Sequence, residues 1–208
     1  MKFEENHIYH VYNRGNNSAT IFFTDENYLF FLRKLKKELL LHCKVLAYCL
    51  MPNHFHLMIW VGEIENQSQT RTRPTALSGR TGSGSGSDVL SRKIGTVLSS
   101  YTQAINKQRG RTGSLFQQKT KAKCITQSGE NYPKVCFHYL HQNPLKAKLV
   151  LKMEDWEYSS FKDYLELRTG SLVEVEFCKE KITVAISSEE LYKESYDVIS
   201  EELIKSLY

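Results

Sequence analysis

Residues 44–61 read KVLAYCLMPNHFHLMIWV, two runs rich in apolar and aromatic residues that are joined by Pro52-Asn53. Such runs are typical of strands, and a Pro-Asn pair favours a tight turn. A connection this short allows only antiparallel pairing. The sequence therefore predicts a β-hairpin, with strands at Lys44–Met51 and His54–Val61.

The segments on either side of this hairpin each predict one strand and one helix. HIYHVYNR (His7–Arg14) is aromatic and β-branched and predicts a strand, which a Gly-Asn-Asn turn ends. Apolar residues recur at helical spacing over 25–41 and 88–108, each opened by an aspartate N-cap, and SLFQQKTKAKCI (114–125) predicts a fourth strand. The order β-α-β-β-α-β predicts a ferredoxin-like α+β fold, an antiparallel sheet with both helices on one face.

Further helices are predicted after the fourth strand. One spans 132–143 and ends before Pro144, because proline interrupts helical hydrogen bonding, and a shorter one spans 156–167. The segment after 167 mixes strand-like LVEVEF (172–177) with helical stretches. We expect one domain over 1–167 and an acidic extension over 168–208. The domain includes a flexible Ser/Gly/Thr-rich loop at 62–87, whose arginines could contact phosphate. These are Arg71, Arg73 and Arg80.

Composition excludes several classes of protein. Hydrophobic residues make up 41% and charged residues 25%, the balance of a globular protein, which excludes wholesale disorder. No run approaches the roughly 18 apolar residues of a membrane span, and the acidic N-terminal stretch does not resemble a secretory signal. The five cysteines are scattered and form no Cys-x-x-Cys pair. We therefore expect a reducing cytoplasm, with neither a disulfide scaffold nor a cysteine zinc site.

Positive charge is concentrated in the middle of the chain. Residues 89–151 hold 11 Lys and Arg against 1 acid, whereas residues 152–208 hold 7 against 14. A segment this basic favours a polyanionic partner, nucleic acid above all, over a merely solvated face. The acidic extension could offset the basic surface or compete with nucleic acid for it.

Two histidines of the hairpin have the spacing of a metal site. His54 and His56 are two apart on a predicted strand, so their side chains leave the same face of the sheet. Neutral imidazole is a common ligand of divalent metals. The pair alone is weak evidence, since two histidines on a half-exposed strand are more often hydrogen-bonded surface groups.

A second pair of candidates lies on the predicted third helix. Tyr139 and Asn143 are four apart and share a helix face, and a carboxamide near the helix end can project its oxygen. Each has a plainer interpretation, since Tyr139 could be a core aromatic and Asn143 a C-terminal cap. His138 and His141 beside them could contact phosphate or be simple surface residues.

Several motifs in order along the chain resemble one family. They are YHVYNRGNN, CLMPNHFHLMIW, GRTGSLFQQKTKA, HYLHQNPLKAKLV and DWEYSSFKDY, within roughly residues 7–164. CLMPNHFHLMIW resembles the histidine-hydrophobe-histidine motif of HUH single-strand nucleases. HYLHQNPLKAKLV resembles the Tyr-xxx-Asn-Pro-x-Lys helix of the REP-associated tyrosine transposases, a bacterial branch of the single-tyrosine insertion-sequence transposases. The acidic extension matches no motif of that branch.

The resemblance implies a metal-dependent single-stranded DNA endonuclease and strand transferase. Tyr139 matches the nucleophile, which forms a covalent 5′-phosphotyrosine link and releases a 3′-hydroxyl. His54, His56 and Asn143 match the ligands of Mg²⁺ or Mn²⁺, although many insertion-sequence relatives have Gln at the third position. The implied substrate is single-stranded DNA with a foldback hairpin. The implied setting is the bacterial cytoplasm, close to the nucleoid, with a monomer favoured and a homodimer left open.

The basic middle segment supplies candidate contacts to the DNA backbone. They are Arg92, Arg109, Arg111, Lys119, Lys121 and Lys123. Phe116 is interpreted first as a core residue and second as a base-stacking one. Tyr101 is the rival nucleophile, but it lies among apolar helix positions and is interpreted as packing.

A binding protein is the alternative to an enzyme. A catalytically idle, hairpin-binding regulator of the same fold would occupy repeats without cutting them, and it would not need to keep all four candidate residues. A ferredoxin-like RNA-binding domain would need a pattern of aromatic-rich strands that this sequence lacks. A plasmid replication initiator would use the same chemistry, with motifs usually in a different order.

Overall fold

A computed structural model describes residues 1–62, 86–129 and 131–207 of the chain. Over these residues the protein is a mixed α+β structure with a four-stranded antiparallel sheet. The strands are β1 (His7–Arg14), β2 (Lys44–Met51), β3 (His54–Val61) and β4 (Lys121–Cys124). The helices are α1 (Asp25–Leu39), α2 (Gly86–Arg109), α3 (Tyr132–Lys146), α4 (Phe161–Tyr164), α5 (Val175–Ile182), α6 (Ser188–Ser195) and α7 (Glu201–Lys205). The loop predicted at 62–87, with Arg71, Arg73 and Arg80, lies almost entirely outside the described residues.

The predicted hairpin is confirmed and occupies one side of the sheet. The strand order is β2-β3-β1-β4, so the second strand of the hairpin is an interior strand. β1 pairs with β3 along its whole length, which sets Tyr12 opposite His56 and Arg14 opposite His54. Residues directly opposite each other in an antiparallel pair project to the same face. The face with the two histidines therefore also has Tyr12 and Arg14.

Helices cover both faces of the sheet. Alternation along β1 sends Tyr9 and Val11 to one face, where they pack with α1 and α2 in one apolar core. The opposite face has Ile8 and Met58, which pack with α3 and with the helices that follow it. α3 therefore lies across the sheet from α1 and α2, on the side of His56.

The fourth strand is shorter than predicted. β4 covers only four residues, whereas the sequence predicted 114–125. Leu115 and Phe116 are consecutive and both are buried in the core with α1 and α2, which strand alternation does not allow. The chain meets the end of β1 there through an isolated bridge between Gly15 and Phe116. Phe116 is thus a core residue, as first interpreted.

The third helix continues through Pro144, so the predicted end before it is wrong. α3 runs to Lys146. Pro144 has no N–H with which to bond the carbonyl of Leu140, which is why a proline usually breaks a helix. The side-chain amide of Asn143 donates instead to the carbonyls of Leu140 and Tyr139, at 3.4 and 2.9 Å. Asn143 is therefore inside the helix and is not its C-terminal cap.

The helix predicted at 156–167 is confirmed only over α4, and the chain just before α4 runs beside β2. Only the four residues of α4 are α-helical. Before α4, Leu50 donates its backbone N–H to the carbonyl of Tyr158, and Ser160 donates to the carbonyl of Tyr48. These bonds follow the outer edge of β2, where an edge strand has unpaired backbone groups. Pairing with the sheet thus outweighs helical propensity here.

The acidic extension packs on the same side of the sheet as α3. The strand-like LVEVEF is not a strand, because Val173 makes a single bridge to Val45 and α5 begins at Val175. Leu191 of α6 and Leu207 after α7 are fully buried in the core that contains α3. The helices predicted for the later part are confirmed by α6 and α7. No described helix has the length and apolar character to cross a membrane.

Candidate active site

The four residues predicted to take part in the chemistry line one cavity. It has a volume of about 400 Å³ and lies between the ends of β1 and β3 and the helix α3. His54 and His56 reach it from β3, and Tyr139 and Asn143 reach it from α3. The alternation of side chains along β3 brings the two histidines to the cavity. The i, i+4 spacing on α3 brings Tyr139 and Asn143 to it.

The rings in this cavity are close enough to act on one bound group. The centroids of His54 and His56 lie 5.0 Å apart, with their planes at 86°. The ring of Tyr139 lies 5.7 Å from that of His56 in an edge-to-face arrangement. Tyr139 exposes 7% of its surface and His56 only 1%. A ligand that reaches them is therefore largely withdrawn from bulk water.

A neighbouring asparagine fixes the tautomer of His54. The side-chain oxygen of Asn53 lies 2.6 Å from Nδ1 of His54. An amide oxygen only accepts, so Nδ1 has the proton and Nε2 keeps its lone pair. Burial, together with the positive charge of Arg14, lowers the pKa of His54 to about 4, so the ring is neutral at pH 7. His54 can therefore offer the lone pair of Nε2 to a metal ion.

A second histidine contacts His56. Nε2 of His10 lies 2.8 Å from Nδ1 of His56, and the two rings stack at 5.1 Å. Burial lowers the pKa of His10 to about 4 and holds the pKa of His56 well below its usual value. Both rings are therefore neutral at pH 7, and one N–H joins the two nitrogens.

The donor atoms of the cavity fit a divalent metal ion. Two neutral imidazoles and a carboxamide oxygen are available from His54, His56 and Asn143. Because Nδ2 of Asn143 donates into the helix, Oδ1 is the atom of that amide left for a cation. Within the described part of the chain, no group of three or more His, Cys, Asp or Glu residues could hold a metal. A metal ion in this cavity would therefore depend on the mixed set of imidazole and amide.

Part of the predicted DNA-binding set lies at this cavity. Lys119 and Lys121 line it together with Arg14. Lys121 lies opposite Tyr12 in the sheet, which directs it to the face of the two histidines. Basic side chains along a cavity wall suit phosphate groups.

The other four predicted DNA contacts are not among the residues that line the cavity. Arg92 is exposed on α2, across the sheet from α3. The guanidinium of Arg109 lies over an aromatic ring at 4.5 Å, and Arg111 donates to a loop carbonyl at 3.3 Å. Lys123 donates to the carbonyl of Ser206 in the acidic extension. DNA contact by these four stays a prediction.

His138 and His141 are buried, so their interpretation as simple surface residues is wrong, and neither is among the residues that line the cavity. Their interpretation as phosphate contacts stays a prediction. The two histidines expose 6% and 0% of their surfaces. Nδ1 of His138 lies 3.0 Å from the hydroxyl of Ser195 in α6, and Nε2 of His141 lies 2.8 Å from that of Ser160. Burial lowers their pKa values, to about 4 for His138 and about 3 for His141. The segments that cover them lie far along the chain, so the motif alone could not indicate their burial.

Tyr101, the rival nucleophile, lies in the opposite core. It is fully buried with α1 and α2, and its hydroxyl donates to the carbonyl of Ile21 at 2.7 Å. The sheet separates it from the cavity. Its interpretation as a packing residue agrees with this position.

Several residues of the site were not predicted from the sequence. His10, Tyr12 and Arg14 alternate along β1 toward the face of the histidine pair. Their spacing of two was the signal that could have identified them. Lys146 places its ammonium group 6.0 Å from the centre of the Tyr139 ring. It is seven residues after Tyr139, two helical turns away, and that spacing was the available signal.

Comparison with known proteins shows a shared fold. No protein-family model and no curated protein matches this chain. A solved REP-associated tyrosine transposase bound to a REP hairpin is similar at a TM-score of 0.53 and 15% identity, over 80% of this chain and 83% of that chain. A bacterial tRNA(His) guanylyltransferase-like protein in complex with GTP reaches a TM-score of 0.39 and 11% identity, over 70% of this chain and 68% of that chain. The first likeness shows that this chain has a fold like that of the transposase, and the second is too low to support a conclusion.

Proposed function

We propose that this protein is a metal-dependent single-stranded DNA endonuclease and strand transferase, a single-tyrosine transposase of the HUH type. The proposal depends on one observation, the cavity shared by the histidine pair and by Tyr139 and Asn143. Within it the rings of Tyr139 and His56 lie 5.7 Å apart. The fold shared with a REP-associated tyrosine transposase supports the same interpretation, and we regard the sheet as ferredoxin-like.

The phenol of Tyr139 is the proposed nucleophile. Its oxygen would bond to the phosphorus of the scissile phosphate while the bond from phosphorus to the 3′ oxygen breaks. The phenol loses its proton and the departing 3′ oxygen gains one, which leaves a 5′-phosphotyrosine link and a free 3′-hydroxyl. Attack by another 3′-hydroxyl reverses the step and joins strands without ATP. A divalent cation bound by His54, His56 and Asn143 would withdraw charge from a non-bridging oxygen of the phosphate.

Charged neighbours of Tyr139 favour this reaction. A phenol has a pKa near ~10, so its phenolate needs stabilisation at neutral pH. The ammonium group of Lys146, beside the ring, would supply it. Lys119, Lys121 and Arg14 line the cavity and would contact the phosphates that flank the scissile one.

The proposed substrate is single-stranded DNA beside a foldback hairpin. The similar transposase was solved bound to a REP hairpin, and we extend that kind of partner to this chain. Tyr139 lies deep against the sheet, with 7% of its surface exposed. A flexible single strand can enter such a site, whereas the scissile strand of a duplex would be poorly accessible. We further propose Mg²⁺ or Mn²⁺ as the cofactor and a monomer that acts in the bacterial cytoplasm.

A covalent-adduct assay tests the proposed function. The protein is incubated with labelled single-stranded hairpin DNA in Mg²⁺, Mn²⁺ or EDTA, and denatured protein–DNA adducts are measured on a gel. We expect an adduct that requires metal and is lost in Tyr139→Phe. Tyr192→Phe is the matched control, because Tyr192 lies on α6, its hydroxyl donates to Glu154, and it is not among the residues that line the cavity.

Two results would contradict this proposal. An adduct that survives Tyr139→Phe would identify another tyrosine as the nucleophile. Tight binding without an adduct, across several hairpins and with both ions, would favour the catalytically idle hairpin-binding regulator.

A further inference from the structure

His10 lies between the proposed metal site and the acidic extension. It is fully buried on β1, on the face of the sheet that has His56. Its Nδ1 lies 3.3 Å from the backbone carbonyl of Leu207, and its Nε2 lies 2.8 Å from Nδ1 of His56. Each nitrogen of the His10 ring thus has a defined partner.

The direction of both hydrogen bonds follows from the chemistry of the partners. A backbone carbonyl only accepts, so Nδ1 of His10 must have the hydrogen. A neutral imidazole has one N–H, so Nε2 of His10 has a lone pair and accepts. The hydrogen between the two rings must therefore belong to Nδ1 of His56. His56 is left with an unprotonated Nε2, which is a nitrogen that can bind a metal.

We propose that His10 is a positioning residue that holds His56 in the Nδ1–H tautomer and so presents the Nε2 lone pair to a divalent cation. This inference rests on the proposed function, because it takes His56 as a metal ligand. Metal-binding histidines commonly donate their second ring N–H to an acceptor, which fixes the tautomer and the orientation of the ring. Here the acceptor is another imidazole, and a carbonyl of the acidic extension fixes the tautomer of that imidazole.

The carbonyl of Leu207 is held firmly next to His10. The side chain of Leu207 is fully buried. The carbonyl of the preceding residue, Ser206, accepts hydrogen bonds from Lys123 on β4 and from Tyr132 on α3. Lys123 lies opposite His10 in the sheet, so the anchor and the ring share one strand pair. The acidic extension thus contributes a backbone group to the site, although Leu207 is not among the residues that line the cavity.

Two substitutions separate the hydrogen bond of His10 from its packing. His10→Phe keeps an aromatic ring against His56 and removes the acceptor. His10→Gln restores an acceptor, since its amide oxygen can reach the position of Nε2. We expect His10→Phe to weaken Mn²⁺ binding by about tenfold or more, the usual effect of losing such a partner, and His10→Gln to recover most of the affinity. Calorimetry on the full chain without DNA measures both.

Nitrogen NMR of ¹⁵N-labelled histidine rings reports the tautomer directly. In the metal-free protein we expect His56 to have a protonated Nδ1 and an unprotonated Nε2. In His10→Phe we expect this signature to shift toward the other tautomer, and in His10→Gln to return. His141→Gln is the matched control, because His141 is equally buried but bonds Ser160. It should leave the tautomer of His56 and the Mn²⁺ affinity unchanged.

The outcomes distinguish this inference from the proposed function. If the wild-type protein binds Mn²⁺ through His54 and His56, and His10→Phe does so equally well with the same His56 tautomer, the role of His10 is wrong and the function stands. A loss of affinity that His10→Gln does not recover, with no change of tautomer, would indicate packing alone and would also overturn it. If the wild-type protein does not bind Mn²⁺ through these histidines, the proposed function itself fails.

Discussion

The side chain of Asn143 bonds to the backbone of α3 and also lines the cavity. Its amide nitrogen bonds the carbonyls of Leu140 and Tyr139, and its oxygen is a proposed metal ligand. Because Pro144 follows, no backbone N–H at that position can replace the amide. A substitution at Asn143 therefore affects the helix even when no metal is present.

We expect Asn143→Ala to lower the free energy of unfolding by about 1–2 kcal/mol, because the carbonyl of Leu140 loses its donor. The same change in a Pro144→Ala background should cost much less, since alanine restores the backbone N–H. Urea unfolding of the four proteins in EDTA gives the coupling energy as a double-mutant cycle. Equal costs in the two backgrounds would show that the amide does not compensate for the proline.

Lys146 is a cation next to the proposed nucleophile, Tyr139. We expect Lys146→Met to slow cleavage by about tenfold, which corresponds to about 1.4 kcal/mol, because the phenolate of Tyr139 loses a nearby cation. Hairpin affinity should change little. Single-turnover rates measure the effect, with Lys148→Met as the control, since Lys148 is an exposed lysine two residues along. An equal loss in both variants would indicate only reduced net charge.

At the scale of elements, β1 connects the fold with the candidate site. It is an interior strand that pairs with β3 on one side and β4 on the other. One face of β1 contributes Tyr9 and Val11 to the core with α1 and α2. The other face directs His10 and Tyr12 to the histidine pair. A change in the register of β1 by one residue would exchange these two sets, so the core fixes the site.

Two lysines line the cavity, Lys119 before β4 and Lys121 at its start, and they predict how hairpin binding responds to salt. Lys119→Ala and Lys121→Ala should each weaken hairpin binding and reduce the slope of log affinity against log salt by about 1, because each removes one phosphate contact. Lys37→Ala should leave the slope unchanged, since Lys37 is exposed on α1, across the sheet from the cavity. Fluorescence anisotropy over a range of salt concentrations measures all three. A loss with Lys37→Ala as large as that with Lys121→Ala would place the DNA on the other face.

At the scale of the whole molecule, several buried histidines make stability depend on pH. Burial lowers the pKa of His10 and His138 to about 4 and that of His141 to about 3, from 6.5 in an unfolded chain. Below pH 6.5 the unfolded chain binds protons that the folded protein does not, so acid favours unfolding. The stabilisation is complete above pH 6.5 and is lost as the pH falls toward the folded pKa values.

We therefore expect the free energy of unfolding to fall steeply between pH 6.5 and pH 4, by up to about 1.4 kcal/mol per pH unit for each of these histidines. Urea unfolding at pH 7, 6 and 5 measures the slope. His141→Gln should flatten the slope by about one such increment, because it removes one of the groups and leaves a hydrogen-bonding side chain beside Ser160. An unchanged slope would mean that His141 does not contribute.

The local sequence pattern was sufficient to predict those strands whose apolar runs and flanking turn residues are adjacent in the sequence. The bounds of β1, β2 and β3 follow from their runs of apolar, aromatic and β-branched residues and from the turn residues that end them. Contacts between remote segments could not be predicted in this way. His10 and His56 are 46 residues apart, and His10 and Leu207 are 197 apart, so no periodicity relates them. The same limit applies to residues 158–160, because their conformation depends on pairing with the edge of β2.

The pairing beside β2 has a consequence for behaviour in concentrated solution. An exposed edge strand is a template on which other chains can add strands and aggregate. The edge of β2 is occupied by residues 158–160 and then by Glu174, whose N–H bonds the carbonyl of Val45. The opposite edge, β4, is four residues long and includes two lysines, and short, charged edges discourage such addition. The protein should therefore stay dispersed at high concentration and resist fibril formation, as long as residues 158–160 and Glu174 stay paired with β2.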